Sequence, residues 1–417
     1  MFSIKSKIYN ILRWSGKHLK TDMVYFAKGG FWLTASQVIS NLLSFGLSIA
    51  YANLLSQQTF GTYKYILSAY GLISTFILPG LTTAITHSVS RHFDGSLEFG
   101  FRKKISWSVL AGLVSLLVSA YYLMNNDITL SVSFFIVGIF LPIMETFGLY
   151  SSLLEGKKLF RERVIYEIKT NIISAIFIVL ALFLTKNLFV LLVVYFSSNG
   201  LARAFFYFLT VKKFKANNQI DDKMLDYSKS LSIFQIASNA TQYLDKIFLF
   251  TILGAPEVAI FTFASAMPSR IKYLFRFTGT IAFPKFTNRP LEEIKKTLPK
   301  KLAFLGLSIL AVIIIYILLA PFIFKYLFPK YLSAVLLSQI IALTSIYSIT
   351  YPISSCLTAH KKVKELFIIS TSSFVFQIIF MLVFIPIYGI WGAVIGTAAN
   401  RLVIFITSFY FLNKIKD

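Results

Sequence analysis

Apolar residues in this chain gather into long runs separated by short polar breaks. The runs fall near residues 31–53, 64–86, 105–124, 128–151, 166–185, 188–210, 229–251, 258–282, 302–324, 331–357, 366–386 and 389–412. Each is close to or above the roughly 20 residues with which a helix crosses a bilayer core. The pattern predicts an all-α polytopic membrane protein with 12 transmembrane helices. The longest polar segments, near 87–104, 211–228 and 283–301, leave no room for a soluble catalytic domain. Whatever the protein does is therefore expected to happen within the membrane.

The polar positions inside the runs repeat. Shifted by 198 residues, the first run falls on the seventh in register: Thr34 on Ser232, Gln37 on Gln235, Ser40 on Ser238, Asn41 on Asn239, Ser44 on Gln242 and Ser48 on Lys246. A spacing of i, i+3, i+7, i+10 puts Thr34, Gln37, Asn41 and Ser44 on one face of a helix, and their counterparts likewise. With a shift near 203, SSLLEGKKLFRE from Ser151 meets SSCLTAHKKVKE from Ser354 after a one-residue slip. These matches predict two pseudo-symmetric six-helix lobes, 30–215 and 216–417, after a basic segment at 1–29. Because six is even, the repeat is parallel about an axis along the membrane normal, and the lobes face each other across a cleft. Gln37, Asn41, Ser44, Gln235, Asn239 and Gln242 are candidates for its polar lining. The competing role for such residues is to bond neighbouring helices together.

Charge supports the count of runs. Assigned to alternating sides from an inside start, 29 Lys and Arg fall on the cytoplasmic face against 4 (Lys64, Lys186, Lys325, Lys330) on the other. That bias places both termini in the cytoplasm. The formal net charge of +24 comes from clusters between apolar runs, which fits membrane loops and not nucleic-acid binding. With 56% hydrophobic residues, 14% charged and a mean hydropathy of +0.72, the composition is far from a soluble balance. Cys356 is the single cysteine, so an intramolecular disulfide and a CxxC metal site are excluded, and the four histidines lack ligand spacing. At the N-terminus, Ile4, Ile8, Ile11 and Leu12 lie at helical spacing among Lys5, Lys7, Arg13 and Lys17. This segment is a helix lying on an anionic leaflet or a disordered basic tail. It lacks the apolar core of a cleavable signal.

Ser228 to Arg276 carries an acid and several bases at membrane depth. A cation at mid-bilayer costs about 2.5–3.5 kcal/mol on insertion scales, so such groups normally face protein or a water-filled cavity. Arg270, Lys272 and Arg276 follow Met267-Pro268 on the eighth run, and Pro268 is a candidate hinge. Helical spacing lets Lys272 and Arg276 share a face, with Arg270 turned away from Lys272. Arg401 and Arg203 lie on the sixth run of each half, and Lys246 extends the polar stripe of the seventh. These six bases are candidates for binding an anionic group, against snorkelling to headgroups or pairing with a carboxylate. Asp245 and Glu145 are candidates for ion coupling or gating. About 100° of helix separates Asp245 from Lys246, which predicts that the two do not pair.

Several stretches resemble a known family. They are GGFWLTASQVISNLLSFGLSIAYANLLSQQTFGTYKYI at Gly29–Ile66, QYLDKIFLFTILGAPEVAIFTFA at Gln242–Ala264, AFPKF at Ala282–Phe286 and IPIYGIWGAVIGTAANR at Ile385–Arg401. In order and spacing the chain is similar to the Wzx-type oligosaccharide flippases, the polysaccharide transporter branch of the superfamily that includes MATE exporters and lipid II flippases. It departs at Val258-Ala259, where an FG-like or LG-like pair is usual. The resemblance implies twelve helices in two bundles around a central cavity. It implies alternating-access transfer of a polyprenyl-diphosphate-linked oligosaccharide to the outer leaflet of a bacterial cytoplasmic (inner) membrane, for surface polysaccharide biosynthesis. Membrane lipids and a polysaccharide polymerase machinery are the expected partners, and no catalysis and no cofactor is expected. No GxxxxGK[ST] motif is present, so the expected drive is an H⁺ or Na⁺ gradient or consumption of the product. A MATE-like cation exporter would favour acids at depth, and a membrane polymerase or glycosyltransferase would show a large extracytoplasmic loop or paired carboxylates; these are the alternatives.

Overall fold

The computed structural model describes residues 23–214, 217–287 and 289–414, so most of the basic segment expected at 1–29 lies outside the described residues. The described residues are helical, with no strand among them. In the first half the helices are α1 (Met23–Leu54), α2 (Gln57–Ser74), α3 (Leu81–Ser90), α4 (Ser96–Met124), α5 (Ile128–Thr146), α6 (Tyr150–Gly156), α7 (Phe160–Leu184) and α8 (Leu188–Lys213). In the second they are α9 (Met224–Leu253), α10 (Ala255–Thr287), α11 (Leu291–Leu327), α12 (Ala334–Leu343), α13 (Thr350–Ala359), α14 (Val363–Tyr388) and α15 (Ile390–Lys414). Short 3₁₀ turns, Phe147–Leu149 and Thr344–Ile349, join α5 to α6 and α12 to α13.

Every apolar run read from the sequence falls mainly on helix, the run at 64–86 being interrupted at 75–80. Eight stretches among the described residues are long and apolar enough to cross a membrane. The first two runs of each half, on α1 to α3, α9 and α10, are not among the eight. They carry the polar stripes and deep charges, or are short, and so fall below a purely apolar criterion.

The repeat of 198 residues is visible in the element starts: α2 begins at Gln57 and α10 at Ala255. The two copies then diverge for a local reason. In the first, α2 stops at Ser74, Leu78 takes φ +44° before Pro79 and α3 starts at Leu81, whereas the second copy has Phe277-Thr278 where the first has Pro79-Gly80 and α10 continues to Thr287. Before the two elements the turns also differ. Ser56 caps α2 by accepting the Thr59 N–H at 3.1 Å, while Gly254, at φ +94°, makes the α9–α10 turn in a region that side chains avoid.

The chain divides into two compact units: Met1–Ala50 with Gly80–Thr185 and Phe189–Lys229, and Tyr51–Pro79 with Lys186–Leu188 and Ser230–Asp417. The segment Tyr51–Pro79 thus clusters with the second half of the chain. Its packing shows why. Gly61 lets α2 approach the start of α10 so closely that a β-carbon there would meet the Ala255 carbonyl oxygen at 1.8 Å. Phe60 stacks on Phe263 at 4.8 Å and Tyr65 on Phe250 at 3.8 Å. Lys330 Nζ donates to the Asn53 carbonyl at 2.7 Å, capping the end of α1, and Gln57 Nε2 returns a bond to the Lys330 carbonyl at 2.9 Å.

Replacing Gly61 with alanine should therefore destabilise the protein by about 1–3 kcal/mol through overpacking. Gly46→Ala, where a β-carbon would meet nothing within 4 Å, should be neutral or slightly stabilising through helix propensity. Thermal unfolding of the two variants in detergent checks this, and equal melting temperatures would contradict it.

Candidate functional site

Within the second unit, five helical segments bring ionisable groups together. Lys64 comes from α2, Asp245 and Lys246 from α9, Lys272 and Arg276 from α10, Tyr351 from the start of α13 and Arg401 from α15. α10 is the spine of this arrangement and packs against α2, α12 and α13. Its approach to α13 is close because Gly279 has no side chain: a β-carbon there would lie 2.9 Å from the Tyr351 carbonyl oxygen. Ser355 Oγ ties the same crossing by donating to the Gly279 carbonyl at 2.6 Å.

Lys272 is half-buried and lies within electrostatic range of Arg401, Lys246 and Asp245. Lys64 in turn interacts with Lys246. Its ammonium sits over the rings of Phe60, Tyr51 and Tyr63, at 5.3, 5.6 and 5.8 Å from their centroids. Such ring faces stabilise a cation by about 0.5–2 kcal/mol each when partly desolvated. Tyr351 is coupled to both Arg401 and the exposed Arg276. Three bases, Lys246, Lys272 and Arg401, thus share one carboxylate, Asp245, and Lys64 adds a fourth positive charge beside Lys246. Where water is scarce this excess attracts an anion far more strongly than it would in bulk solvent.

Asp245 and Lys246 do pair, contrary to the expectation from helix geometry. Lys246 Nζ lies 3.3 Å from Asp245 Oδ1, and the same oxygen accepts the Lys246 backbone N–H at 2.8 Å. The 100° offset holds for the backbone, but the flexible four-carbon lysine stem bends across it. Arg270 points elsewhere: its guanidinium donates to the Ala266 carbonyl one turn back on α10, at 3.0 Å. α10 runs through Pro268 without interruption, and Ser345 Oγ reaches the Pro268 carbonyl at 3.5 Å. Of the second polar stripe, Gln235 and Asn239 are half-buried and Gln242 is exposed.

The first unit handles its deep charges differently. Glu145 pairs with Lys104 at 3.7 Å, with side chains only 18% and 9% exposed. Arg203 donates to the Met144 carbonyl at 2.7 Å. Gln37 and Asn41 bond to each other along α1 at 3.2 Å, Ser40 accepts from Asn171 at 3.0 Å, and Ser44 is exposed.

Arg203 and Arg401 are themselves 198 residues apart. Each reaches the edge of a 3₁₀ turn: Arg203 bonds the carbonyl of Met144, three residues before Phe147–Leu149, and Arg401 bonds the hydroxyl of Thr344, the first residue of Thr344–Ile349. The 3₁₀ turns leave helix-end groups to be satisfied: Arg203 bonds one directly, whereas in the second copy the Thr344 hydroxyl donates to the Ile341 carbonyl and accepts from Arg401. Sequence reasoning placed both arginines on matching helices but missed their partners. It also assigned Lys64 and Lys104 to loops, although both sit in helices. The usable signals were the aromatic residues Phe60 and Tyr63 beside Lys64, and the absence of any turn residue between Lys104 and the apolar run that follows.

In comparisons with known proteins, the family model described as polysaccharide biosynthesis protein matches residues 26–289. The uncharacterized membrane protein MJ1068 of Methanocaldococcus jannaschii is 24% identical over 94% of this chain and 84% of its own length. Among solved structures, the lipid II flippase MurJ in an inward closed conformation superposes with a TM-score of 0.71 at 16% identity, covering 91% of this chain and 87% of that one. An inward-facing multidrug resistance MATE family transporter of the MOP superfamily gives 0.61 at 13% identity, with 90% and 94% covered. A MOP superfamily transporter from Pyrococcus furiosus, described by a reverse polarity of its binding pocket, gives 0.53 at 13%, with 94% and 93% covered. The fold is shared with these flippase and MATE transporter structures, and the match over 26–289 identifies the chain as a member of the polysaccharide biosynthesis protein family.

Proposed function

We propose that this multi-pass protein is a flippase for a polyprenyl-diphosphate-linked oligosaccharide, moving the sugar head from the cytoplasmic to the outer leaflet of a prokaryotic cytoplasmic membrane. The observation that carries this reading is the excess of bases around Asp245 in the second unit. A diphosphate is the part of such a lipid that needs cations, and charge-assisted hydrogen bonds from Lys272, Arg401 and Lys246 hold it in a low-dielectric setting. The polar stripe of α9 offers hydroxyl and amide groups to the sugars, and the prenyl chain stays in lipid. The family description and the fold likeness to a lipid II flippase support the same reading.

In this account the chain crosses the membrane twelve times with both termini inside, and the two six-helix halves alternate access to the head group. No covalent bond is made or broken. An H⁺ or Na⁺ gradient, or removal of the product by a polymerase, drives net transfer. The exporter alternative is weakened by the same charge balance, since an organic cation would meet repulsion from four bases.

In proteoliposomes carrying a polyprenyl-diphosphate sugar, Lys272→Ala should slow leaflet transfer at least about tenfold, the loss of one charge-assisted contact of about 1.5–3 kcal/mol. Wild-type rates in that variant would remove the site assignment, and absence of transfer by the wild type, with controls working, would remove the function. Glu145→Ala should instead act on stability, by about 3–5 kcal/mol, because it strands a buried lysine. The double variant Lys104→Met/Glu145→Leu should recover most of the lost melting temperature. An unchanged melting temperature in Glu145→Ala would show that the pair is not structural.

A further inference from the structure

Lys169 takes no part in the site described above. It lies on α7, nine residues from Phe160 and so about 14 Å along the helix. It is exposed, and no ion pair or hydrogen bond to another described residue is recorded for it. The residues that share its face one, two and three turns on are apolar and exposed: Ile172, Ile173, Ile176, Phe177 and Leu180. In a membrane protein such a face meets lipid. A lone lysine there is costly unless an anion meets it or its stem reaches the headgroups.

Beside Lys169, α7 and α8 part to form a groove of about 580 Å³. Its wall is apolar, with Ile173 and Phe177 on one side and Leu201 and Phe205 on the other. Phe177, Leu201 and Phe205 are 53%, 67% and 63% exposed, so the groove opens sideways toward the hydrocarbon. Lys169 stands near one end of it, the end toward Phe160, and the remainder runs toward Phe177 on α7 and Val194 on α8. One charged group at the rim and an apolar trough beneath it match the two parts of a phospholipid.

The geometry points to a site for one acidic phospholipid of the leaflet at the Phe160 end of α7, its phosphodiester on Lys169 and one acyl chain in the trough. The charge ratio selects this occupant. A single lysine balances the single charge of a phosphodiester, whereas a prenyl diphosphate brings more charge than Lys169 alone can neutralise. The inference does not depend on the transport activity proposed above, because it concerns equilibrium binding to the first unit alone.

Native mass spectrometry of the purified, detergent-exchanged protein titrated with phosphatidylglycerol tests it. The wild type should retain one phosphatidylglycerol in preference to phosphatidylcholine. Lys169→Gln should bind it about fivefold more weakly, the loss expected for one basic residue near an anionic lipid. Leu201→Trp, which fills the trough from an exposed position, should also weaken binding while leaving Lys169 in place. Melting temperatures equal to wild type show that both variants fold. Equal retention by Lys169→Gln, equal binding of phosphatidylcholine, or displacement of phosphatidylglycerol by equimolar polyprenyl diphosphate would each overturn the assignment.

Discussion

Charge held at membrane depth is the constraint on which this structure turns. Each ionised side chain on an apolar helix must find a partner or cost several kcal/mol, and the fold supplies those partners in distinct ways. Lys104 meets Glu145, Lys64 is ringed by Phe60, Tyr51 and Tyr63, and Arg203 bonds the Met144 carbonyl. Around Asp245 the compensation is incomplete, with Lys246, Lys272 and Arg401 facing one acid and Lys64 beside Lys246. That imbalance distinguishes a group built to receive an anion from one that is internally neutral.

Helix breaks and close crossings position these groups. Arg203 and Arg401 occupy the same place in the two copies of the repeat, and each serves a 3₁₀ turn in the fourth run of its half. A 3₁₀ turn inside a long helix leaves backbone groups unsatisfied and is a place where the helix can bend. Arg203 satisfies one such group directly, and Arg401 acts through the Thr344 hydroxyl, which donates to the Ile341 carbonyl. In the second unit Arg401 adds its charge to the cluster while doing so. Close approaches at Gly61 and Gly279 hold α2 and α13 against α10, which brings Lys64 and Tyr351 to the group.

The apolar runs were legible because membrane helices announce themselves by composition, and the 198-residue repeat was legible because its polar positions recur in register. The break between α2 and α3 was not read, because residues 64–86 form one apolar run, although Pro79-Gly80 stands inside it where the second copy has Phe277-Thr278. What the sequence hid were contacts between distant helices. Arg270 was one of six candidate bases, and the bond of its guanidinium to the Ala266 carbonyl on its own helix could not be read from spacing. Lys64 looked like a loop residue because a lysine lowers local hydropathy at a helix start. The pairing of Asp245 with Lys246 was missed because helix geometry fixes Cβ directions and not the reach of a lysine.

The central claim is that the group around Asp245 recognises an anionic diphosphate head. Titration of the purified protein with a short-chain prenyl-diphosphate sugar, followed by calorimetry beside a quaternary ammonium ligand, addresses it most directly. The account predicts saturable binding of the diphosphate that weakens with added salt and is lost in Lys272→Ala/Arg401→Ala, with no binding of the ammonium. Tighter binding of the ammonium than of the diphosphate would contradict it.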